Sequence, residues 1–488
     1  MIGILPCAGK GTRFFELGKE YPKCILPYRE KPLLIYNIQW LKEQGCDEVY
    51  VVASHQELKI KQVLEIYNQD ATLIKPITEE GLSASVLSAL EKTKGQSALI
   101  LLGDMMVKGT VPSCSDNWVS TKKVKDWSRW CMLDKEEGLF IEKPSSKPST
   151  DVALTGIYFI KEADSLRAAI DKQLEEKLKT QDEYALSTAL QLMNQKFLSH
   201  EIETIDFGSV EKYFENRNIK NCRDFNSIKF DRGVAIKASN KRQKLINEFS
   251  WYNNIPEELQ AKTPKLLSSS FYGDEASYKM QKINLPTLRE LFLFLDRCEQ
   301  LWEKILSACI GTYKQMISYQ YNYSSFDFIL EKTRTRSRGL DVDNFLSELE
   351  EMGRQLDTTT TIMHGDYFLS NLFWDGRAED IIMIDPRGEI LGSKYYDWAK
   401  LKHSFNYYYD FIDVELYSIV GDDIKIFNDG CQAIEHMFNE WEKRIFNEQE
   451  RLYLEKLTAS LFLSMIPLHS HNKNNQRIYY NIFKRING

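Results

Sequence analysis

The apolar positions in the first half of the chain form short runs that alternate with segments of helical spacing. Ile2–Leu5, Glu48–Ala53 and Ala98–Leu102 are apolar runs of strand length, whereas Pro32–Gln44 and Glu57–Asn68 have helical spacing. The same alternation continues in the predicted strand Leu73–Ile77 and the predicted helix Ser83–Lys92. Strands that alternate with helices of this length predict βαβ units, and therefore a Rossmann-like α/β domain with a mostly parallel sheet.

The pattern changes near residue 221. Phe225–Phe230 and Gly233–Ala238 predict two strands, and long amphipathic helical stretches such as Leu285–Leu306 and Ile434–Arg444 follow. We therefore predict two domains, 1–222 and 223–488. The second is expected to be an α+β domain with a small lobe at about 223–283 and a helical lobe at about 284–488.

Composition narrows the classes of function. The chain has 488 residues, with 63 Lys and Arg against 70 Asp and Glu, and its net charge of −7 argues against nucleic-acid binding. The longest apolar run, around Leu461–Leu468, is interrupted by Pro467 and is too short to span a membrane. No secretion signal is recognisable at Met1–Pro6, so the sequence predicts a cytoplasmic protein. The oligomeric state stays open, with a homo-oligomer as one alternative.

The nine cysteines contain no Cys-x-x-Cys pair, which argues against a zinc site. Any metal is therefore expected to be a hard cation held by carboxylates.

A Gly-rich turn follows the first predicted strand. Gly9 and Gly11 would let backbone N–H groups approach a triphosphate, and Lys10, Arg13 and Lys23 would neutralise its charge. A dinucleotide site fits poorly, because Phe14 occupies the position of the third glycine in that motif.

Residues 1–220 resemble the nucleotidyltransferases that activate sugar phosphates and small alcohol phosphates, the GT-A-like pyrophosphorylases. The segments that carry the resemblance, in chain order, are Gly9–Arg13, Pro22-Lys23, Glu80–Ser85, Gly103-Asp104, Glu142–Pro144, Leu154–Tyr158 and Asp206–Ser209. The resemblance implies nucleotide binding by Ala8, Gly9, Gly11, Thr12, Glu80 and Gly81, catalytic roles for Arg13 and Lys23, acceptor binding by Lys143, Thr155 and Gly156, and Mg²⁺ binding by Asp104 and Asp206.

These residue types suit the attack of an acceptor phosphate on the α-phosphorus of an NTP. Two anions must approach each other, and Mg²⁺ together with cationic side chains would supply the opposing charge. CTP and UTP are the expected donors, because the compact domain resembles cytidylyl- and uridylyltransferases.

A second constellation lies in the C-terminal half. Asp366 and Asn371 have the spacing of a kinase catalytic loop, and Asp385 follows a downstream apolar strand. Asp366 would accept the proton of a substrate hydroxyl, and Asn371 and Asp385 would hold Mg²⁺ on ATP. Upstream, Lys237 ends a Val-Ala-Ile-Lys strand, and Glu248 is its candidate ion-pair partner.

This half resembles the aminoglycoside phosphotransferase and choline kinase family, which implies a two-lobed, protein-kinase-like α+β domain and a small-molecule hydroxyl as acceptor. It departs from the kinase pattern in one respect, since no Gly-rich loop precedes Lys237. In series, the two halves would phosphorylate a small alcohol or sugar and couple its phosphate to an NMP, giving an activated precursor for surface polysaccharide.

Two alternatives remain open. The C-terminal half could be a non-catalytic binding module, or the protein could be an antibiotic-modifying kinase with an acidic cluster for polycations. The candidate acids are Asp410, Asp413, Glu415, Asp422 and Asp423. A choline-like acceptor would need an aromatic cage, for which Tyr395–Trp398 and Tyr407–Asp410 are candidates, although core packing explains these aromatics as well.

Overall fold

The computed structural model describes the chain in several ranges. These are residues 1–9, 21–29, 31–92, 95–112, 114–216, 226–231, 233–272, 276–421 and 423–487. They form two compact units, Met1–Lys220 and Asn221–Gly488. The domain boundary predicted at 222 and 223 falls outside the described residues and stays a prediction.

The N-terminal unit alternates strands and helices before a series of further strands. Its elements are β1 (Ile2–Pro6), β2 (Pro27–Tyr28), β3 (Lys31–Pro32), α1 (Leu33–Glu43), β4 (Glu48–Val52), α2 (Glu57–Ile66), β5 (Thr72–Ile74), α3 (Leu82–Leu90), β6 (Ala98–Leu101), β7 (Met105–Val107), β8 (Trp118–Lys123), β9 (Cys131–Asp134), β10 (Leu139–Glu142), β11 (Val152–Ile160), α4 (Ala163–Glu175), α5 (Leu186–Leu192), β12 (Leu198–Glu201), β13 (Thr204–Asp206) and α6 (Val210–Asn216).

Most strands of this unit belong to one sheet whose central part is parallel. The order is β10-β9-β11-β6-β1-β4-β5, and β8 pairs with β11 and β12. Strands β6, β1, β4 and β5 run parallel, with Ile4 opposite Tyr50 and Ile100, whereas β11 is antiparallel to its neighbours. The predicted parallel α/β core is therefore confirmed, and the sheet as a whole is mixed.

The apolar sequence of β1 and β6 follows from this position. Ile2, Ile4 and Ile100 are fully buried because helices cover the sheet, so these strands are apolar on both faces. Parallel neighbours end at the same edge of a sheet. The turn after β1 and the Gly103-Asp104 turn after β6 therefore lie at one edge.

The C-terminal unit begins with strands and continues mainly with helices. Its elements are β14 (Asn226–Asp231), β15 (Val234–Ser239), α7 (Arg242–Asn254), α8 (Glu257–Gln260), β16 (Leu266–Ser270), β17 (Ala276–Gln281), α9 (Leu288–Glu290), α10 (Glu299–Ser318), β18 (Gln320–Tyr321), α11 (Phe326–Arg336), α12 (Asp343–Leu356), β19 (Thr360–Ile362), β20 (Leu372–Asp375), β21 (Asp380–Met383), β22 (Leu391–Ser393), α13 (Lys394–Phe405), α14 (Tyr409–Asp413), β23 (Tyr417–Val420), β24 (Asp423–Ile426), α15 (Gln432–Ile445), α16 (Glu448–Met465) and α17 (Lys473–Asn487).

The first four strands of this unit form an antiparallel sheet of order β14-β15-β17-β16, and α7 lies in the connection between β15 and β16. Within the described residues, β14 and β15 confirm the two strands predicted at 225–230 and 233–238. The prediction of one continuous helix over Leu285–Leu306 is wrong, because the backbone is extended at Asp296. The carboxylate of Asp296 accepts the N–H of Cys298 at 3.0 Å. This local hydrogen bond competes with the helix and divides the stretch before α10.

Among the described helices, none combines the length and the apolarity that crossing a bilayer requires.

Candidate functional site

Two predicted metal-binding carboxylates come together in the N-terminal unit. Asp104 follows β6, and Asp206 ends β13, which pairs with β7 so that Asp206 lies opposite Met105. A Cβ built on Gly208 would lie 2.9 Å from Asp206 Oδ1 and 3.5 Å from Asp104 Oδ2. Both carboxylates therefore border one small space that the absence of a side chain at position 208 keeps open.

Two carboxylates suit a hard cation that takes its remaining ligands from substrate phosphates and water, as Mg²⁺ does. The described residues contain no cluster of three or more His, Cys, Asp or Glu side chains suited to a metal. Asp104 and Asp206 would therefore hold Mg²⁺ only together with the nucleotide.

Lysines neutralise this carboxylate pair. Lys23 Nζ lies 3.5 Å from Asp104 Oδ2 and 3.4 Å from the carbonyl oxygen of Gly208. Lys212, on α6, donates to Asp206 Oδ2. The predicted phosphate-binding Lys23 is thus adjacent to the carboxylates. We name Lys23, Asp104, Asp206 and Lys212 the first site.

The structure adds two side chains that the sequence patterns did not single out. The Nζ of Lys122, at the end of β8, lies 4.0 Å from the centre of the Trp130 ring, and that of Lys212 lies 5.3 Å from it. Burial lowers the pKa of Lys122, partly offset by Asp206. Lys122 and Trp130 therefore extend the first site with a second cation. No local sequence pattern marked Lys122, because its neighbours Trp130 and Lys212 come from other segments of the chain.

The predicted acceptor residues have different surroundings. The hydroxyl of Thr155 is buried and donates to Ser120 Oγ at 2.6 Å, so it organises the strand rather than facing a ligand. Gly156 has a φ of +98°, and a Cβ there would lie 2.6 Å from Met105 Sδ. The motif glycine is needed for this close approach. Lys143 Nζ lies 3.9 Å from Glu142 Oε1 and is one-third exposed.

The loop predicted to receive the nucleobase is fixed by backbone contacts. Gly81 has a φ of +114°, and a Cβ on it would lie 2.6 Å from the backbone nitrogen of Tyr184. Glu80 is partly neutralised by Lys179, whose Nζ lies 2.8 Å from its Oε2. In the phosphate turn, Ala8 is half-buried and Gly9 is exposed, whereas Gly11, Thr12 and Arg13 lie outside the described residues.

The C-terminal unit contains a second buried charge cluster. Lys237 Nζ, on β15, lies 2.5 Å from Glu248 Oε1 on α7 and 2.6 Å from Asp385 Oδ1 beyond β21. Glu248 also accepts the hydroxyl of Tyr278 at 2.6 Å. Burial alone would lower the pKa of Lys237, but the two carboxylates outweigh burial and raise it. The three charged residues predicted from separate motifs are therefore in direct contact.

Backbone hydrogen bonds link the predicted catalytic loop to the metal-binding segment. Asn371 Nδ2 donates to the carbonyl oxygen of Asp366 at 2.9 Å, which leaves its side-chain oxygen as the candidate ligand atom. Ile384 N donates to Asn371 O at 2.9 Å. Asp385 adopts a left-handed backbone with a φ of +57°, which is uncommon outside glycine and is concentrated at functional positions. The hydrogen bond of Ile384 to Asn371 therefore places the two predicted metal ligands, Asn371 and Asp385, on adjacent segments.

Asp397 was not predicted to act on the loop, yet it supports it. Its Oδ2 accepts the N–H of His364 at 2.7 Å, and its Oδ1 accepts the N–H of Gly365 at 2.8 Å. Burial raises the pKa of Asp397 to about 7 and lowers that of His364 to about 4. Helix α13 thereby holds the turn that presents Asp366. We name Lys237, Glu248, Asp366, Asn371, Asp385 and Asp397 the second site.

The aromatic and acidic clusters considered from the sequence have structural roles. Tyr395 and Trp398 are buried in the core, where Trp398 stacks on Phe438 at 5.1 Å. Asp410 and Asp413 both accept from Arg289, at 2.7 and 2.8 Å. Core packing and ion pairing therefore account for Tyr395, Trp398, Asp410 and Asp413, whereas Asp422 lies outside the described residues.

Comparison with known proteins concerns the N-terminal part of the chain. Residues 3–118, about a quarter of its length, match the family model of the MobA-like NTP transferase domain. The N-terminal unit contains an NTP transferase domain of this type.

Curated relatives are nucleotidyltransferases of several specificities. The glucose-1-phosphate thymidylyltransferase of Neisseria gonorrhoeae is 24% identical over 176 residues, which cover 33% of this chain and 61% of the relative. The D-glycero-α-D-manno-heptose 1-phosphate guanylyltransferase of Campylobacter jejuni is 26% identical over 143 residues, which cover 28% of this chain and 64% of the relative. The CTP:phosphoglutamine cytidylyltransferase of Campylobacter jejuni is 35% identical over 68 residues, which cover 14% of this chain and 27% of the relative.

Across these three relatives and three further curated nucleotidyltransferases, the matched region spans between 27% and 64% of the relative's own length. Among solved structures, UDP-glucose pyrophosphorylase complexed with UDP-glucose is 22% identical with a TM-score of 0.39, covering 44% of this chain and 97% of the other.

Proposed function

We propose that the protein is a bifunctional enzyme whose two units act in series. The C-terminal unit phosphorylates a small alcohol or sugar with ATP, and the N-terminal unit couples that phosphate to an NMP from CTP or UTP with release of pyrophosphate. The product would be a nucleotide-activated precursor for surface polysaccharide. The curated relatives, which include a nucleotidyltransferase of low-salt glycan biosynthesis in Haloferax volcanii, support the nucleotidyl-transfer step of this proposal.

The observation that carries the transferase part is the approach of Asp104 and Asp206 to one space beside Lys23. Mg²⁺ bound there would withdraw charge from the NTP phosphates during the attack. Lys23 and Lys212 would neutralise the two anions that must come together, and Lys122 beside Trp130 is suited to the acceptor phosphate. No covalent intermediate is needed when the two phosphates are held in line.

The observation that carries the kinase part is the contact of Lys237 with both Glu248 and Asp385. A lysine held by a helix glutamate beside a metal-binding aspartate is the arrangement that binds ATP phosphates. Asp366 would orient the acceptor hydroxyl and take its proton, while Asp397 keeps the loop in position.

Asp366→Asn in the full chain tests the series. We expect this variant to lose ADP release with any acceptor, and a pre-phosphorylated acceptor should restore the nucleotide-linked product. Products are read by mass after incubation with the four NTPs, ATP and a panel of small alcohols, sugars and an aminoglycoside. Glu379→Gln is the matched control, because this exposed carboxylate pairs only with Lys304 in the described residues.

If the wild type nucleotidylates a phosphate but phosphorylates no free acceptor, the C-terminal unit is a binding module. If it phosphorylates an aminoglycoside and no small alcohol or sugar, the antibiotic-modifying alternative is correct.

A further inference from the structure

Three cationic side chains gather beside the predicted catalytic base, each from a different segment of the C-terminal unit. Lys332 lies on α11, Arg387 follows β21, and Lys400 lies on α13. Their charged ends lie 5.1, 5.8 and 5.9 Å from the centre of the Tyr396 ring. We name Lys332, Arg387, Tyr396 and Lys400 the cationic cluster.

The cluster is connected to Asp366 by short contacts. Lys400 Nζ lies 3.1 Å from Asp366 Oδ1, while Lys332 and Arg387 donate to the Tyr396 hydroxyl at 2.5 and 3.3 Å. Desolvation would raise the pKa of Asp366, but Lys400 and Lys332 outweigh it and hold that pKa well below its usual range. Burial would likewise raise the pKa of Tyr396, yet the three cations lower it to about 8. The local potential is therefore strongly positive.

The charges of the cluster do not balance. Arg387 Nε lies 3.3 Å from Glu389 Oε2, and Lys400 faces Asp366, so among the described residues two carboxylates pair with these three cations. A neutral phenol is the shared acceptor of Lys332 and Arg387. Cations that are largely removed from water are costly without a counter-charge. One negative charge from a ligand would complete this set.

We propose that the cationic cluster is the subsite for a carboxylate on the acceptor, so that the kinase substrate is a small hydroxy acid. This inference rests on the proposed kinase function of the second site. Lys332 and Arg387 would bind the carboxylate, and the hydroxyl would face Asp366. The hydroxyl oxygen would form the new bond to the γ-phosphorus of ATP, its proton would pass to Asp366, and ADP would leave.

A carboxylate fits better than a phosphate ester, because a single negative charge balances the excess of one cation. The same positive potential disfavours choline, ethanolamine and aminoglycosides as acceptors. Lys237 is the separate cation in contact with the metal-binding Asp385, so the nucleotide does not need the cluster for charge neutralisation.

Matched acceptors test the charge requirement in the full chain with Mg²⁺ and ATP. Glycerate, glyceramide and glycerol share a hydroxyl but differ in charge, and choline carries the opposite charge. We expect kcat/KM from ADP release to be about 100-fold higher for glycerate than for the two neutral compounds, with no turnover of choline. A preference for glycerol, glyceramide or choline would overturn the proposal.

Lys332→Met tests the position of the subsite. We expect KM for the acid to rise about 10- to 100-fold while KM for ATP changes less than about twofold. Lys304→Met, at an exposed lysine of the same unit, should change neither constant. A rise in KM for ATP with an unchanged acceptor KM would assign the cluster to the nucleotide and refute the proposal.

A chain that releases no ADP with any acceptor would refute the kinase function, and calorimetric titration then decides the subsite separately. Glycerate binding to the wild type and its loss in Lys332→Met would retain an anion site. Equal glycerate binding by the two proteins, or none by either, would remove it.

Discussion

The contact of Lys237 with Glu248 and Asp385 predicts a specific effect of replacing the lysine. Lys237→Met keeps the length of the side chain but leaves two carboxylates without their cation. The Lys237 and Glu248 side chains are 3% and 4% exposed, and that of Asp385 is 19% exposed. Breaking a buried ion pair by removing one partner costs about 3–5 kcal/mol. Because Tyr278 still donates to Glu248, we expect the free energy of unfolding to fall by about 3 kcal/mol.

A second substitution separates charge from packing. Glu248→Gln in the Lys237→Met background removes the more deeply buried of the two uncompensated charges, and the amide oxygen can still accept from Tyr278. We expect the double variant to recover about 2 kcal/mol of the lost stability, because an unpaired buried charge accounts for most of the penalty. On the proposed kinase function, ADP release should remain absent in both variants, since the lysine proposed to contact the ATP phosphates is missing.

The local free energy of opening is measured by amide hydrogen exchange of peptides from the β14–β17 sheet in the intact chain. Lys443→Met is the control, because this exposed lysine pairs with Glu440 on the surface. A loss below about 1 kcal/mol in Lys237→Met would refute the assignment of a coupled buried cluster, as exposed pairs give values of that size. A double variant less stable than the single one would contradict it as well.

Three further results are expected. Asp104→Asn should lower pyrophosphate release by about 10²-fold or more while ADP release stays normal, and near-normal transfer would remove the metal assignment. Gly156→Ala should destabilise the N-terminal unit by about 2–4 kcal/mol in thermal unfolding, because the added Cβ overpacks the site and the backbone φ is positive. The control Gly109→Ala has a similar φ of +92° but open space around it, and it should cost only about 1 kcal/mol. Burial raises the folded pKa of Asp397 to about 7, so the contribution of this residue to stability is full below pH 4 and is lost as the pH rises through 7. The stability of the wild type relative to Asp397→Asn, measured by denaturant unfolding, should therefore fall between pH 4 and pH 7. A stability difference that stays constant over this range would contradict the raised pKa.

Local patterns were sufficient for much of the fold and for one of the charge clusters. Buried parallel strands such as β1 and β6 are apolar on both faces, so their alternation with helices is readable. The Lys237 and Glu248 assignments came from motif and helix position, and the two side chains are in contact. The ends of apolar strands likewise singled out Asp104 and Asp385 as candidates, and each lies beside a lysine in the structure.

Side chains whose function depends on distant partners could not be read in this way. Lys122 on β8 and Lys212 on α6 lie beside Trp130 only in the folded unit, because the three residues belong to different segments of the chain. The role of Asp397 depends on two backbone N–H groups 33 and 32 residues away, and no local pattern encodes that contact. The division of 285–306 was missed because a single aspartate hydrogen bond overrides apolar periodicity.

Helix α13 has a consequence for how acceptor choice could change over evolutionary time. It carries Asp397, which supports the predicted catalytic loop, together with Lys400, which contacts Asp366, and Tyr396, over whose ring Lys400 lies. Exchanging the side chains at 396 and 400 would alter what the site recognises without removing the support. Sliding or rotating the helix would disturb recognition and loop geometry together. We therefore expect new specificities to arise by side-chain replacement on a stationary helix rather than by movement of the helix.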